Sequence, residues 1–179
     1  LTVNKRISKT NHRLLVSMGG IDRSNATLKV LEALSLKKNK IDTTVLLNQK
    51  APHFNSVASF CEKHEAWIKH IPFSENMAEL MFQHTLAVGA PGFTSWERAC
   101  MGLPSLIIPL AKNQFQICKN LVSAGCAISL PEEGINDKLQ HGIEEILENF
   151  NVMRRNSLEI CDGMGCRRVV EKLSELGRS

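Results

Sequence analysis

Apolar residues in this chain gather in short runs separated by polar, Gly- or Pro-containing stretches. Leu14-Leu15-Val16 with Met18 is the first, and it stops at Gly19-Gly20. Asp42–Leu47, Trp67–Ile71, Thr85–Val88, Ser105–Pro109 and Cys126–Leu130 repeat the form. Near-continuous runs of this length are those of strands buried on both faces. Between the runs the spacing changes. Leu28, Leu31 and Leu34 recur at a helical interval. Asp22-Arg-Ser24-Asn25 and Ser74-Glu-Asn76 precede helical stretches and have the composition of N-caps. Pro52 opens a helix predicted to reach about Glu65. Further helices are predicted over Met77–Gln83, Ser95–Met101 and Asn113–Ala124, and then over 135–149, 151–161 and 165–176.

Strands alternating with helices predict a parallel sheet covered on both faces. Right-handed crossovers make it α/β, doubly wound and Rossmann-like. No internal repeat or low-complexity segment interrupts it. Residues 1–12 are polar and irregular and read as a linker; 13–179 read as one domain. Ligands bind such sheets beyond the carboxyl ends of the strands. The loops after the first, third, fourth and fifth strands are therefore the ones to inspect.

Composition narrows the function classes. At 43% hydrophobic and 22% charged, with a net charge of +4, the chain reads as an ordinary globular protein. Lys and Arg are spread along it rather than clustered, which argues against a nucleic-acid surface. No run approaches the length of a membrane span, so no membrane span is expected. The six cysteines form no Cys-x-x-Cys pair and no zinc spacing, so neither a metal nor a cofactor is expected. They read as reduced, mostly buried thiols of a cytoplasmic protein. The first residue is not Met, and the chain reads as part of a longer protein.

Gly89-Ala-Pro-Gly92-Phe93-Thr94-Ser95-Trp-Glu97-Arg98 is the sharpest motif. Its glycines let backbone approach a ligand, and Thr94 and Ser95 bring hydroxyls to a helix start, where free N–H groups favour phosphate. Glu97, in the first turn, is placed to accept hydrogen bonds from ribose hydroxyls. The same residues also suit a plain strand-to-helix turn with an outward Glu, and local pattern does not choose between the two. Gly19-Gly20 is a second small-residue turn, but neither a P-loop nor a dinucleotide fingerprint. Asn113-Gln114 suits either a helix cap or a sugar and phosphate contact. No Ser, Cys or carboxylate stands in a recognisable nucleophile setting, so no catalytic residue is expected in this chain.

Taken in order, the motifs resemble a known family. They are Leu-Val-Ser-Met-Gly19-Gly20-x-Asp, Met77-Ala-Glu-Leu-Met, Gly-Ala-x-Gly92-x-Thr94-Ser95-Trp-Glu97-Arg, Gly-Leu-Pro-Ser, Ala-x-Asn113-Gln114 and Asp-Gly-x-Gly-x-x-Arg-Val-Val. This series resembles the C-terminal half of the UDP-sugar hydrolases of pseudaminic acid biosynthesis, relatives of the MurG-type glycosyltransferases. The resemblance implies the C-terminal lobe of a two-lobed GT-B fold, and a reaction in which water displaces UDP from a 2,4-diacetamido-trideoxy sugar. It implies UDP or a UDP-sugar as ligand, and a missing N-terminal lobe that carries the catalytic His. It assigns ribose to Glu97, the diphosphate to Phe93, Thr94 and Ser95 beside Gly92, and uracil to the stretch from Ile71 through Ser74 to Met77. Gly19, Gly20, Asn113 and Gln114 would face sugar and phosphates. Pro91 departs from the pattern: it stands where such loops usually carry a second glycine, and it brings no N–H donor. Two alternatives stand beside the hydrolase: the donor-binding half of a UDP-sugar glycosyltransferase, and a non-catalytic nucleotide-sugar-binding module.

Overall fold

The computed structural model describes residues 12–177, so most of the predicted linker lies outside the described residues. The strands are β1 (Arg13–Ser17), β2 (Asp42–Leu46), β3 (Ile68–Ile71), β4 (Leu86–Gly89), β5 (Ser105–Ile107) and β6 (Ala127–Ser129). The helices are α1 (Ala26–Ser35), α2 (Phe54–Lys63), α3 (Met77–Phe82), α4 (Thr94–Cys100), α5 (Phe115–Ser123), α6 (Ile135–Glu148), α7 (Phe150–Ile160) and α8 (Gly165–Leu176). Every strand pair is parallel, and the order is β3-β2-β1-β4-β5-β6. The chain winds outward from β1 in one direction, then returns to β4 and winds in the other. The crevice between β1 and β4 is therefore the topological switch point.

Alternation along the strands divides the core. Leu14 and Val16 of β1, Val45 of β2, Leu86 and Val88 of β4 and Leu106 of β5 face α1, α2 and α6. Leu15 and Ala87 face the other way, onto Met81 and Leu103. Ile107 packs beneath α5 with Cys118 and Leu121. Both faces are thus covered, which is why the runs read as continuously apolar.

The predicted boundaries shift by a residue or two at most ends. At the start of α1 the predicted cap stretch Asp22–Asn25 narrows to one residue. Ser24 and Asn25 do not cap the helix; Asn25 sits at the N-cap with φ 58 and makes no side-chain cap bond. Asp22 does the work from further back. Its Oδ1 accepts from the Ala26 N–H at 2.9 Å and its Oδ2 from the Thr27 N–H at 2.8 Å. The third helix starts as predicted, with the Asn76 side chain accepting from the Glu79 N–H at 3.0 Å.

The helix α8 stands apart from the core. It has no buried residue, and Val169, Val170 and Leu173 are all exposed. Asp162 ties the elbow before it, accepting from both Arg168 and the Met164 N–H, and these donors hold its carboxyl down at about 2. Because α8 buries nothing against the sheet, Leu173→Glu should change the stability of this chain by less than about 0.5 kcal/mol. A denaturant titration showing a loss well above that would mean that α8 is part of this domain's core.

The six cysteines are free thiols; Cys61, Cys118 and Cys126 are buried, while Cys166 is exposed. Burial, aided by Glu62, pushes the Cys61 thiol up to about 11, as suits an inert core residue. Among the described residues no helix is long and apolar enough to cross a membrane.

Candidate functional site

A cleft of about 280 Å³ opens at the carboxyl ends of β1, β2 and β3 and against the start of α4. Ser17, Gly19 and Gly20 supply one wall, Pro72, Phe73, Ser74 and Met77 another, and Thr94 and Glu97 a third. Three larger hollows exist. Two of them, of about 490 and 370 Å³, lie at the amino ends of the strands, one around Asp42 and Lys37 to Lys40 and one around Arg13, Thr43 and Trp67. The third, of about 530 Å³ and mostly apolar, runs between α3, α4 and the elbow before α8, and shares Met77 and Glu97 with the cleft. Size does not select the site: of the four, only the cleft combines the switch point of the sheet with small residues and polar groups from several loops.

Of the residues singled out from sequence, Gly19, Gly20, Ser74, Met77, Thr94 and Glu97 meet in this cleft. Gly19 holds φ at 97, the left-handed turn that carries the chain from β1 over the cleft. Glu97 is exposed, and no hydrogen bond to its carboxylate occurs among the described residues.

The loop after β4 is tighter than its glycines suggested. Neither Gly89 nor Gly92 has a positive φ, so neither is there for an unusual dihedral. Gly89 is required by crowding: a Cβ there would lie 2.4 Å from the Ser17 carbonyl oxygen and 2.5 Å from Arg98 Nη1. A Cβ on Gly92 would meet nothing within 4 Å. Within the turn, the Gly92 N–H donates to Ala90 O and the Ser95 N–H to Gly92 O, both at 3.0 Å. The Phe93 and Thr94 N–H groups, at the start of α4, find no backbone partner among the described residues.

Ser95 does not face the cleft. It is buried, donates weakly to Ala90 O at 3.4 Å and accepts from Arg98 Nη2 at 2.9 Å. Its hydroxyl holds the turn from below, so the expected direct diphosphate contact through that hydroxyl is not what this geometry offers. Phe93 is 89% exposed and projects from the loop. Ile71 ends β3, where its carbonyl accepts from the Leu47 N–H at 3.2 Å. Asn113 and Gln114 sit in a 3₁₀ turn beyond β5, outside the cleft. Gln114 Oε1 accepts from the Leu110 N–H at 2.7 Å, which ties the turn back to the loop after β5, and neither Asn113 nor Gln114 caps a helix with its side chain. The physical reason is sheet order: β5 lies on the far side of β4 from the cleft. Trp96 packs beside Cys118 and Leu121 rather than over the cleft.

Three contributors were not foreseen. Leu46, the last residue of β2, and Asn48, in the loop after it, line the cleft, and the sequence reading leaves that loop aside. The order β3-β2-β1 puts that loop between two that were singled out. Arg98 lies under the turn. It is 1% exposed, its Nη2 also donates to Ala90 O at 3.1 Å, and its Nε has no partner. Burial pulls its pKa down to about 10, partly opposed by Glu97, so it stays charged at neutral pH.

Comparison with known proteins identifies the fold. The sequence matches the glycosyltransferase family 28 C-terminal domain over residues 16–162. Spore coat polysaccharide biosynthesis protein SpsG of Bacillus subtilis is 26% identical over 177 residues, which cover 95% of this chain and 52% of that protein. MurG of Acinetobacter baumannii superposes with a TM-score of 0.73 at 17% identity, over 94% of this chain and 51% of its own. The spinosyn rhamnosyltransferase SpnG complexed with thymidine diphosphate gives a TM-score of 0.63 at 16% identity, over 96% of this chain and 47% of its own. The chain thus spans about half the length of these relatives. The shared fold is that of the C-terminal domain of the two-lobed GT-B glycosyltransferases.

Proposed function

Because this chain belongs to the glycosyltransferase family 28 C-terminal domain family, we propose that it is the donor-binding half of a nucleotide-sugar enzyme and that its cleft holds UDP. The observation that carries this reading is the meeting of Gly19, Gly20, Thr94 and Glu97 at the switch point between β1 and β4. Each group suits one part of the ligand. The N–H groups of Phe93 and Thr94, with the Thr94 hydroxyl, donate to the diphosphate. The Glu97 carboxylate accepts from the ribose hydroxyls. Pro72, Phe73 and Met77 cover the base. The flexible Gly19-Gly20 turn admits the sugar side of the diphosphate.

The family favours transfer of the sugar to an acceptor hydroxyl over transfer to water. The second reading is a hydrolase that releases UDP from a 2,4-diacetamido-trideoxy sugar, the reaction of the pseudaminic acid pathway. What favours it is the Thr94-Ser95-Trp96-Glu97-Arg98 motif followed by Asn113-Gln114. In either reading the reacting groups come from an N-terminal lobe, and the apolar side of α8, with Val169, Val170 and Leu173, is the surface offered to it.

Calorimetric titration tests the ligand. The chain should bind UDP and turn over no UDP-sugar. Glu97→Ala should weaken UDP by about 10- to 30-fold, the loss of charge-assisted hydrogen bonds worth about 1.5–2 kcal/mol. It should weaken 2′,3′-dideoxy-UDP hardly at all. Equal losses for the two ligands would remove Glu97 from the ribose, and no heat with UDP on the folded chain would sink the reading. Adding the N-terminal lobe and following UDP release with and without an acceptor then separates transferase from hydrolase.

A further inference from the structure

Arg98 is a buried cation without a counter-ion of its own. Its guanidinium meets two neutral oxygens, Ala90 O and Ser95 Oγ, while Nε meets none. It makes no salt bridge among the described residues. Glu97, the neighbouring acid that acts on its charge, is itself exposed. A charge taken out of water and left unpaired is costly, and burial alone would favour a neutral side chain here. Its location suggests what offsets the cost. Nη1 lies 2.5 Å from where a Gly89 Cβ would be, and Gly89 pairs with Ser17 at the ends of β4 and β1. The charge therefore sits directly beneath the switch point, behind the wall formed by Ser17 and Thr94.

We propose that Arg98 is a positioning residue that acts through the 90–95 turn and supplies the positive field that selects a diphosphate in the cleft. This rests on the UDP reading of that cleft. Arg98 does not touch the ligand. Its fork fixes Ala90 O and Ser95, which sets the Phe93 and Thr94 N–H groups, and its charge, little screened by water, acts across the turn on the phosphates.

Binding of UDP and of uridine to the wild-type chain, Arg98→Lys and Arg98→Met, followed by NMR, tests this. Arg98→Met should weaken UDP by about 30-fold, the effect of removing one poorly screened unit charge, and uridine by less than about threefold. Arg98→Lys should recover part of the UDP affinity, because it keeps the charge but not the fork. Equal losses for UDP and uridine, or no loss for either, would overturn the proposal while leaving the UDP reading intact. A folded wild-type chain that binds neither ligand would overturn both. If Arg98→Met loses its dispersed spectrum, the guanidinium resonances of Arg98 in the wild type decide. Movement with UDP and not with uridine supports the proposal, and the same movement with both overturns it.

Discussion

Gly89→Ala should cost the chain about 3 kcal/mol or more, at the upper end for overpacking, and lower its thermal midpoint by roughly 10 °C. The added Cβ would lie 2.4 Å from the Ser17 carbonyl oxygen, and that oxygen belongs to the backbone of the paired strand. A side-chain tip can swing aside at little cost; a central strand cannot. The other close atom, Arg98 Nη1 at 2.5 Å, belongs to a side chain that is 1% exposed and held by bonds to Ala90 O and Ser95 Oγ. Relief must come from separating β1 and β4, the two strands that flank the cleft. The fall in stability should therefore bring a fall in UDP affinity. Gly92→Ala provides the control in the same loop. Its Cβ would meet nothing within 4 Å and its φ is not positive, so the change should stay within about 0.5 kcal/mol. Chemical denaturation of the two variants checks both halves. Equal stabilities would mean that the turn yields where the geometry says it cannot.

The contrast between these two glycines marks the boundary of what the sequence conveys. Both looked alike in Gly-Ala-Pro-Gly, and both suggested special backbone conformations. The need for glycine at 89 comes from Ser17, far away in the chain, and from Arg98, across the turn on α4, and no local pattern reports it. Strand and helix identity was legible because both depend on period and on caps nearby in sequence. The six strands and the main helices follow from that information alone. The site was legible in part for the same reason. Thr94 and Glu97 are fixed by the strand–turn–helix they stand in, and Gly19 and Gly20 by theirs. Asn113 and Gln114 were assigned from their order along the chain, but sheet order moves them across β4. Asn48 was passed over for the same reason in reverse. Arg98 was hidden by its chemistry: an Arg following a Glu on a short helix reads as a solvated charge, and only packing of α4 against α7 and the sheet takes it inside.

Asp22→Ala is expected to cost about 3 kcal/mol, more than an ordinary cap substitution. An N-cap side chain satisfies one orphan N–H at a helix start; Asp22 satisfies two, those of Ala26 and Thr27. Both donors belong to fully buried residues, so water does not replace the lost acceptor cheaply. The backbone adds a second term. Asp22 has φ 39 and Asn25 φ 58, left-handed values that Asp and Asn tolerate and Ala resists. The carboxylate is what fastens this strained turn, since the Asn25 N–H to Asp22 O bond, at 3.2 Å, is long. Asp22→Asn separates the two terms. It keeps the left-handed tolerance and one good acceptor but loses the charge and the second acceptor, so it should cost about 1–1.5 kcal/mol. Function should follow stability here, because the same turn carries Gly19 and Gly20 over the cleft. At a temperature where Asp22→Ala is still folded, UDP should bind more weakly than to the wild type, with hydrogen exchange faster at Ala26 and Thr27 than in the sheet. Unchanged exchange at those two amides would show that α1 is capped without Asp22, and that the loop after β1 is held by other means.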